Sequence, residues 1–240
     1  IRDYYASRGL GDVYKRQSLA KEANALSLLL EKQVDGIIIT SAGGPTKYTD
    51  ILGKTPAVFV DRMPPVTGQL AYDRVLVDNI QGTRAVVTEL IHQGAQRIGI
   101  INSAVSFTAT ERMTGYREAL TQAGFEPDAA IEATARTDNS NVQQMTRQLL
   151  VNQKCDGLFV ADNTIMEEVL RKLPALDLPP IHLGGFDDQD WFDFLPQPIV
   201  TARQPIAQLG QTAIDRLLAK IDDPDLLPEE IRLAATTISR

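Results

Sequence analysis

The feature that most constrains this chain is a regular alternation between helical segments and short, apolar, β-branched runs. Residues 19–32 have a helical period, and 36–40 follow as the continuous run of a strand buried on both faces. The same pattern predicts further strands at 57–60, 75–77, 98–101, 157–160 and 181–184, and helices at 79–94, 110–123, 141–152, 164–173 and 206–221. Alternation at this spacing indicates βαβ units and parallel sheets, so the predicted fold class is α/β.

Two sheets fit the chain better than one. The chain has 240 residues, enough for one large domain or two modest ones, and the alternation breaks at 102–108. We predict two Rossmann-like parallel-sheet subdomains. The first is formed by 18–102 with 204–230, and the second by 103–203 with 231–240, where 231–238 is the final strand.

Residues 1–17 do not follow this alternation. They carry tyrosines, glycines and charges without a usable period, and no predicted strand precedes the helix that begins at Leu19. We predict that this segment is foreign to the native protein, because 10–17 resembles a translated sequencing adapter. A disordered native linker is the alternative, and no function is assigned to the segment.

The composition excludes several function classes. Hydrophobic residues are 43% and charged residues 23% of the chain, which are ordinary values for a globular protein. The net charge of −7 argues against a broad nucleic-acid-binding face. No apolar run reaches the ~20 residues of a membrane helix, and no stretch at the start has the order of a secretory signal. The single cysteine, Cys155, excludes a disulfide framework and a cysteine-built metal site.

The motifs of common enzymes on α/β sheets are missing. The sequence contains neither a glycine-rich phosphate loop nor a G-x-S-x-G nucleophile elbow. Its two histidines, His92 and His182, fall at a helix end and inside a strand, where structural roles are more common than catalytic ones. We therefore predict a protein that is not an enzyme, with no catalytic residue, no cofactor and no metal site.

Polar side chains occur where the predicted parallel strands end, which is the edge at which open α/β sheets bind ligands. Five of them follow strands and one begins a helix: Asp61, Asp162, Asn163, Asp187, Asp188 and Arg112. Carboxylates accept hydrogen bonds from paired hydroxyls, and a guanidinium donates in a planar fork to ring oxygens, carboxylates or phosphates. The set predicts a polyhydroxylated ligand in one cleft. For any one residue, a helix cap or a solvated loop end is the alternative.

Several motifs of the chain occur together in one known family. Residues 112–116 read R-x-x-G-Y, residues 185–188 read G-F-D-D, and 209–218 form part of the last predicted helix. Together with 29–38 and 77–82, and in this order from Leu19 to the C terminus, these segments resemble the effector-binding core of the LacI/GalR family of bacterial transcription repressors. The resemblance implies a two-lobed fold of periplasmic binding protein type I, with a truncated N-terminal lobe.

The resemblance also implies which residues hold an effector. Arg112 and Asp187 match the arginine and aspartate with which the family holds its effector, and Asp61 matches the polar residue after the family's fourth strand. Asp162 and Asn163 stand where the family has an Asn-Asp pair, in the reverse order. Positions that line the pocket or lie at the hinge in some members are occupied here by Thr108, Asn139 and Gln204.

The function implied is that of a repressor core that senses a metabolite. The effector would be a sugar or sugar derivative, and Arg62 beside Asp61 favours a sugar acid or sugar phosphate. The family's helix-turn-helix, its hinge helix and the first strand, helix and second strand of its N-terminal lobe are missing from this sequence. We therefore expect a truncated core. The complete protein would be a cytoplasmic homodimer that binds operator DNA through the missing headpiece and has no membrane contact. A periplasmic sugar-binding protein of a transport system is the alternative.

Overall fold

The computed structural model describes residues 19–43, 47–64, 71–104 and 106–240. The predicted foreign or disordered segment, 1–17, lies outside these residues. In chain order the first elements are α1 (Leu19–Glu31), β1 (Ile37–Ile39), α2 (Tyr48–Leu52), β2 (Ala57–Val60), β3 (Asp73–Val77), α3 (Asn79–His92), β4 (Ile98–Asn102) and α4 (Phe107–Gln122). The remaining elements are β5 (Glu132–Thr134), α5 (Val142–Arg147), β6 (Gly157–Val160), α6 (Asn163–Lys172), β7 (His182–Phe186), β8 (Ile199–Arg203), α7 (Ile206–Asp222), β9 (Glu230–Leu233) and β10 (Thr236–Ser239).

The strands form two sheets, and parallel pairing dominates both. One sheet has four strands in the order β1-β2-β3-β9, and all its pairs are parallel. The other has six strands in the order β10-β8-β7-β6-β4-β5, and its pairs are parallel except that β10 runs antiparallel to β8. The predicted α/β class with two parallel-sheet units is confirmed.

Helices lie on both faces of each sheet, which is why the central strands have continuous apolar runs. Neighbouring side chains of β2 show this directly, because Val58 packs with α7 on one face while Phe59 packs with α1 and α2 on the other. In the six-stranded sheet, Ile100 faces α3 and α4, and the next residue, Ile101, faces α5 and α6. The prediction that the first strand is buried on both faces is wrong, because β1 is an edge strand and its Ile38 is 44% exposed. We refer to the four-stranded sheet with α1, α2 and α7 as the first lobe, and to the six-stranded sheet with α3 to α6 as the second lobe.

Three helices begin where the sequence supplies a side-chain cap. Asp78, Ser106 and Asp162 each accept a hydrogen bond from the backbone N–H three residues further on, at 2.9, 3.1 and 2.9 Å. A capping oxygen satisfies one of the N–H groups that a helix leaves unpaired in its first turn. These caps therefore fix the starts of α3, α4 and α6 close to the carboxyl ends of β3, β4 and β6.

The observed sheets correct the predicted division of the chain. The prediction places residues up to 102 in the first subdomain, but β4 pairs with β6 in the six-stranded sheet. Helix α3 packs on β7 and β8 of that sheet, so the chain leaves the first lobe between β3 and α3. The predicted final strand, 231–238, is two strands, with β9 in the first lobe and β10 in the second. A hydrophobic run marks a strand, but it does not specify the sheet that the strand joins.

Helices α3 and α4 pack closely because Gly115 has no side chain. A Cβ atom at this position would lie 2.4 Å from the carbonyl oxygen of Ile80 and 3.0 Å from the Cβ of Thr83. The backbone of α3 cannot yield without moving the whole helix. The glycine of the R-x-x-G-Y motif is therefore a packing requirement, and it holds Arg112, one turn earlier on α4, at a fixed distance from α3.

We expect Gly115→Ala to lower the free energy of unfolding by about 1–3 kcal/mol, because the added methyl group overpacks the contact between α3 and α4. Urea unfolding monitored by circular dichroism measures this. The matched control is Gly210→Ala on α7, where a Cβ would meet no atom within 4 Å. The control should gain about 0.5–1 kcal/mol from helix propensity. Equal stabilities of the two variants would contradict the packing argument.

Candidate functional site

A cleft of about 610 Å³ lies between the two lobes. Its first-lobe wall comes from the segments that follow β1 and β2, and its second-lobe wall from those that follow β4, β5 and β6 together with the first turns of α4. All of these segments leave carboxyl ends of parallel strands, the position at which α/β sheets bind ligands. Five of the predicted site residues line this cleft: Asp61, Thr108, Arg112, Asn139 and Asp162.

The backbone is strained where three of the predicted site residues lie. Asp61, Asn139 and Asp187 have φ angles of 63°, 57° and 73°, in the left-handed region that costs energy for residues with a side chain. Asp and Asn tolerate this conformation better than other such residues. These positive angles turn the chain sharply beside the cleft, and they explain why short polar residues stand at these positions.

Arg112 is 5% exposed, and most of its guanidinium is held in place by the protein. Its Nε donates to Oδ1 of Asn79 at 2.9 Å, and its Nη1 donates to the carbonyl oxygen of Ala161 at 2.5 Å. The ring of Phe186 lies beneath it, with its centroid 3.8 Å from Cζ, a cation–π contact. Within the described part of the chain, Nη2 makes no hydrogen bond, so this nitrogen keeps its capacity to donate.

A chain of polar contacts joins Arg112 to the first lobe. Asn79, which is fully buried, also donates from Nδ2 to Oε2 of Glu111 at 2.9 Å. The other oxygen of Glu111 accepts from Arg232 on β9 at 2.7 Å. Arg232 in turn pairs with Glu230 at 2.7 Å. The arginine in the cleft is therefore linked, through an amide and a carboxylate, to a strand of the opposite lobe.

The pKa of Asp61 depends on other residues of the predicted site. Burial raises the pKa of the Asp61 carboxyl above its ordinary value, and the negative charge of Asp187 acts in the same direction. The positive charges of Arg112 and Arg62 oppose this and act to lower that pKa. Asp61 thus lies within electrostatic range of Asp187 and Arg112, and its salt bridge to Arg62 is 3.6 Å long.

The other predicted residues lie beside the cleft. Asp187 accepts a hydrogen bond from Nε2 of Gln204, so the end of β7 is tied to the segment through which the chain returns to the first lobe. Asn163 is the first residue of α6, and its Oδ1 is buried without a hydrogen-bond partner in the described structure. Asp162 caps α6, which is the alternative given for a strand-end residue, and it also lines the cleft, so its contact with a ligand stays a prediction.

Several lining residues were not predicted from the sequence. They are Ala42, Ser103, Ala104, Ser106, Arg136, Thr137, Asp138 and Thr164. Residues 136–138 were missed because β5 has three residues, too few for a hydrophobic period. Ser106 carried a usable signal, since a serine three residues before Ala109 suits a helix cap.

Two further properties bear on the class of site. In the residues that the structure describes, no group of three or more His, Cys, Asp or Glu side chains is placed to hold a metal ion. Across the same residues, no helix combines the length and the apolar character needed to cross a membrane.

Comparison with known proteins decides the family. A periplasmic binding protein-like domain matches residues 87–240, which is more than half of the chain. The chain belongs to this periplasmic binding protein-like family. The predicted resemblance to LacI-type regulators is also confirmed, because the relatives with related sequences are transcription regulators and repressors.

Three of these similar proteins illustrate the extent of the match. The HTH-type transcriptional regulator EndR of Paenibacillus polymyxa is 32% identical over 221 residues, which cover 88% of this chain and 64% of that protein. The ribose operon repressor of Escherichia coli K12 is 26% identical over 220 residues, covering 90% and 67%. The cellobiose complex of the transcriptional regulator CelR has a TM-score of 0.81 at 25% identity, covering 92% and 69%. The chain thus spans about two thirds of the length of these relatives.

Asp188, which the sequence places among the strand-end carboxylates, has a different role in this periplasmic binding protein-like chain. Its oxygens pair with Arg203 at 2.6 Å and with Arg240, and Thr201 donates to it at 2.6 Å. Burial acts to raise the pKa of Asp188, but the hydrogen bonds from Arg240, Thr201 and Arg203 outweigh it and hold that pKa below its ordinary value. Asp188 therefore anchors the loop that carries Asp187.

The acid dependence of stability follows from Asp188. Since its folded pKa is depressed, its contribution is complete above the unfolded value of about 4 and is lost as the pH falls through the lower folded value. We expect Asp188→Asn to lower the free energy of unfolding at pH 7 by about 1–3 kcal/mol. The difference from the wild type should shrink below pH ~4. Urea unfolding across pH 3–8 measures this, with exposed Asp225→Asn as the control; a constant difference at every pH would contradict it.

A second stability test concerns the contact between Asn79, Glu111 and Arg112. Asn79→Ala removes the amide that both charged side chains share, and it leaves them buried and incompletely paired. We expect the free energy of unfolding to fall by about 2–4 kcal/mol, more than for a neutral buried hydrogen bond. Equilibrium urea unfolding provides the measurement, and exposed Asn152→Ala is the control. A loss no larger than that of the control would show that the network contributes no stability.

Proposed function

We propose that this chain is the effector-sensing core of a LacI-type transcriptional repressor, which binds a sugar or sugar-derived metabolite between its lobes. The observation that carries the proposal is the interlobe cleft, which is lined by Asp61 from the segment after β2 and by Arg112 from helix α4. Fixed polar groups converging on one concave site are the pattern of a small-molecule pocket.

The chemistry of the cleft suits a ligand with several hydroxyl groups. Asp61 and Asp187 offer carboxylate oxygens that accept from neighbouring hydroxyls, and Arg112 offers Nη2 as a donor to a ring or hydroxyl oxygen. Thr108 and Asn139 add groups that both donate and accept. A sugar presents alternating donors and acceptors of this kind around its ring.

The roles of the remaining predicted residues are part of the proposal. Asp162 and Asn163, at the start of α6, face the ligand from the second lobe, where the buried Oδ1 of Asn163 still has capacity to accept a hydrogen bond. Gln204 donates a hydrogen bond to Asp187 from the segment after β8, where the chain returns to the first lobe. In this assignment Gln204 positions the aspartate, and Asp187 contacts the effector.

The names of the relatives favour a regulator over the transport alternative. One related sequence is a ribose operon repressor, and the CelR structure is a cellobiose complex. Both proteins are regulators, and both names refer to a sugar. They support a sugar effector here, and they support a regulator rather than a sugar-binding protein of a transport system or an enzyme.

The mechanism we propose is a change in the relative orientation of the lobes. The chain passes between the lobes at the segments after β3, after β8 and after β9, so an effector that contacts both lobes favours one orientation by its difference in affinity for the two. In the complete cytoplasmic protein, a homodimer would carry this change to a DNA-binding headpiece outside the present sequence and alter operator binding.

Isothermal titration with ribose, glucose, fructose, cellobiose and the phosphates and acids of these sugars tests the proposal. We expect at least one compound to bind and Arg112→Ala to weaken its affinity by about tenfold or more, because a charge-assisted donor is lost. Arg147→Ala, an exposed arginine outside the cleft, is the matched control. The proposal fails if no compound binds, or if Arg112→Ala binds as tightly as the wild type.

A further inference from the structure

An arginine of the first lobe reaches helix α4 of the second lobe close to the cleft. Arg232 lies on β9, and its Nη1 donates to Oε1 of Glu111 at 2.7 Å. Glu111 directly precedes Arg112, the arginine that contacts the effector in the proposed function. We infer that Arg232 is a positioning residue, which holds the carboxylate of Glu111 and thereby keeps the guanidinium of Arg112 in place at the cleft wall. The inference rests on the proposed function and adds a first-lobe residue to its binding site.

The carboxylate of Glu111 is a buried charge with a partner from each lobe. Glu111 is 8% exposed. Its Oε2 accepts from Nδ2 of Asn79 in the second lobe at 2.9 Å, and its Oε1 accepts from Arg232 in the first. Because the amide of Asn79 is neutral, the opposite charge comes from Arg232. A buried charge is costly unless it is paired, so the position of Glu111 depends on Arg232.

The guanidinium of Arg232 is itself held by further contacts. Its Nε donates to Oε1 of Glu230 at 2.7 Å, and its Cζ lies 5.9 Å from the ring centroid of Phe107. Phe107 is the first residue of α4, and it packs against the apolar cluster of the first lobe. Burial acts to lower the pKa of Arg232, but its hydrogen bonds to Glu230 and Glu111 outweigh this and raise that pKa. The first turns of α4 therefore contact the first lobe through an aromatic ring and an ion pair with a fixed charge.

This contact lies where the chain passes between the lobes. Asn79 follows the crossover after β3, and Arg232 precedes the crossover after β9. The backbone N–H of Asp78 donates to the carbonyl oxygen of Leu233 at 2.9 Å, which holds the two crossovers side by side. The backbones that carry Asn79 and Arg232 are therefore fixed relative to each other, and Glu111 is bound between them.

Removal of Arg232 would change the electrostatic environment of Arg112. Without its cationic partner, the buried carboxylate of Glu111 attracts the nearby guanidinium of Arg112, with which it already shares Asn79. Nη2 of Arg112 makes no hydrogen bond in the part of the chain that the structure describes, so it is available to Glu111. Arg232 thus prevents Glu111 from competing with an effector for Arg112.

Isothermal titration with ribose, glucose, fructose, cellobiose and the phosphates and acids of these sugars tests the role of Arg232. We expect Arg232→Gln to weaken the binding of the compound that the wild type binds most tightly by about tenfold, and Arg232→Lys, which keeps the charge, to lose less. The matched control is Arg84→Gln, which removes an ion pair of 3.0 Å between α3 and Glu118 of α4 within the second lobe. The control should keep the affinity of the wild type.

A second substitution separates positioning from a general structural role. Glu111→Gln removes the negative charge that competes for Arg112. We therefore expect the double variant Arg232→Gln, Glu111→Gln to bind at least about threefold more tightly than Arg232→Gln alone. In the Arg112→Ala variant, Arg232→Gln should cause no further loss of affinity. A merely structural role of Arg232 would give neither result.

The environment of Arg112 can also be followed without a ligand. In proton–nitrogen correlation spectra, the Nε–H signal of Arg112 is identified as the side-chain signal that Arg112→Ala removes. We expect this signal to shift in Arg232→Gln, to shift less in Arg232→Lys and to keep its position in Arg84→Gln.

These outcomes distinguish the inference from the proposed function. The inference is wrong if Arg232→Gln leaves both the affinity and the Arg112 signal unchanged, or if it weakens binding equally in the wild type and in Arg112→Ala. If none of the compounds binds but the signal shifts in Arg232→Gln, the proposed function fails, while the positioning of Arg112 by Arg232 is supported.

Discussion

The arrangement of the cleft depends on the contact between Asn79, Glu111 and Arg112. Two oppositely charged side chains are buried here on one helix, and a buried charge is costly unless it is paired and hydrogen-bonded. The neutral amide of Asn79 hydrogen-bonds both, since its oxygen accepts from Arg112 and its nitrogen donates to Glu111. Glu111 is also paired with the opposite charge of Arg232. The fully buried amide at the start of α3 thereby orients the guanidinium of Arg112 at the wall of the cleft.

The helices and strands could be predicted from the sequence, but the sheet to which each strand belongs could not. The β-branched run 57–60 marks a strand whose two faces are covered, and this pattern is visible in one dimension. The run 37–39 has the same pattern, but it forms an edge strand in which Ile38 is 44% exposed. The membership of β4 in the six-stranded sheet depends on its pairing with β6, across some sixty residues of sequence. Hydrophobic periodicity is local and contains no information on such pairing, so the boundary at 102 was wrong.

The site could be predicted where it coincides with strand ends. Asp61 and Asp162 follow obvious strands, and Arg112 belongs to a recognisable motif, so all three could be named from the sequence. Arg136 follows a three-residue edge strand without a period, and Asn79 resembles an ordinary helix start. What these two residues contact is determined only in three dimensions. Arg136 lines the cleft with Asp138, and Asn79 hydrogen-bonds two buried charged side chains.

The polar network also bears on how binding would reach the rest of the molecule. An effector that binds Nη2 of Arg112 contacts a guanidinium whose Nε donates to Asn79. Asn79 in turn donates to Glu111, which also accepts a hydrogen bond from Arg232 of the first lobe. If the lobes rotate, the distance between Glu111 and Arg232 must increase or their side chains must move to keep the ion pair, because the two residues lie on opposite lobes. The free energy of that pair then differs between the two orientations. Such a difference is what coupling between a binding site and a distant readout requires.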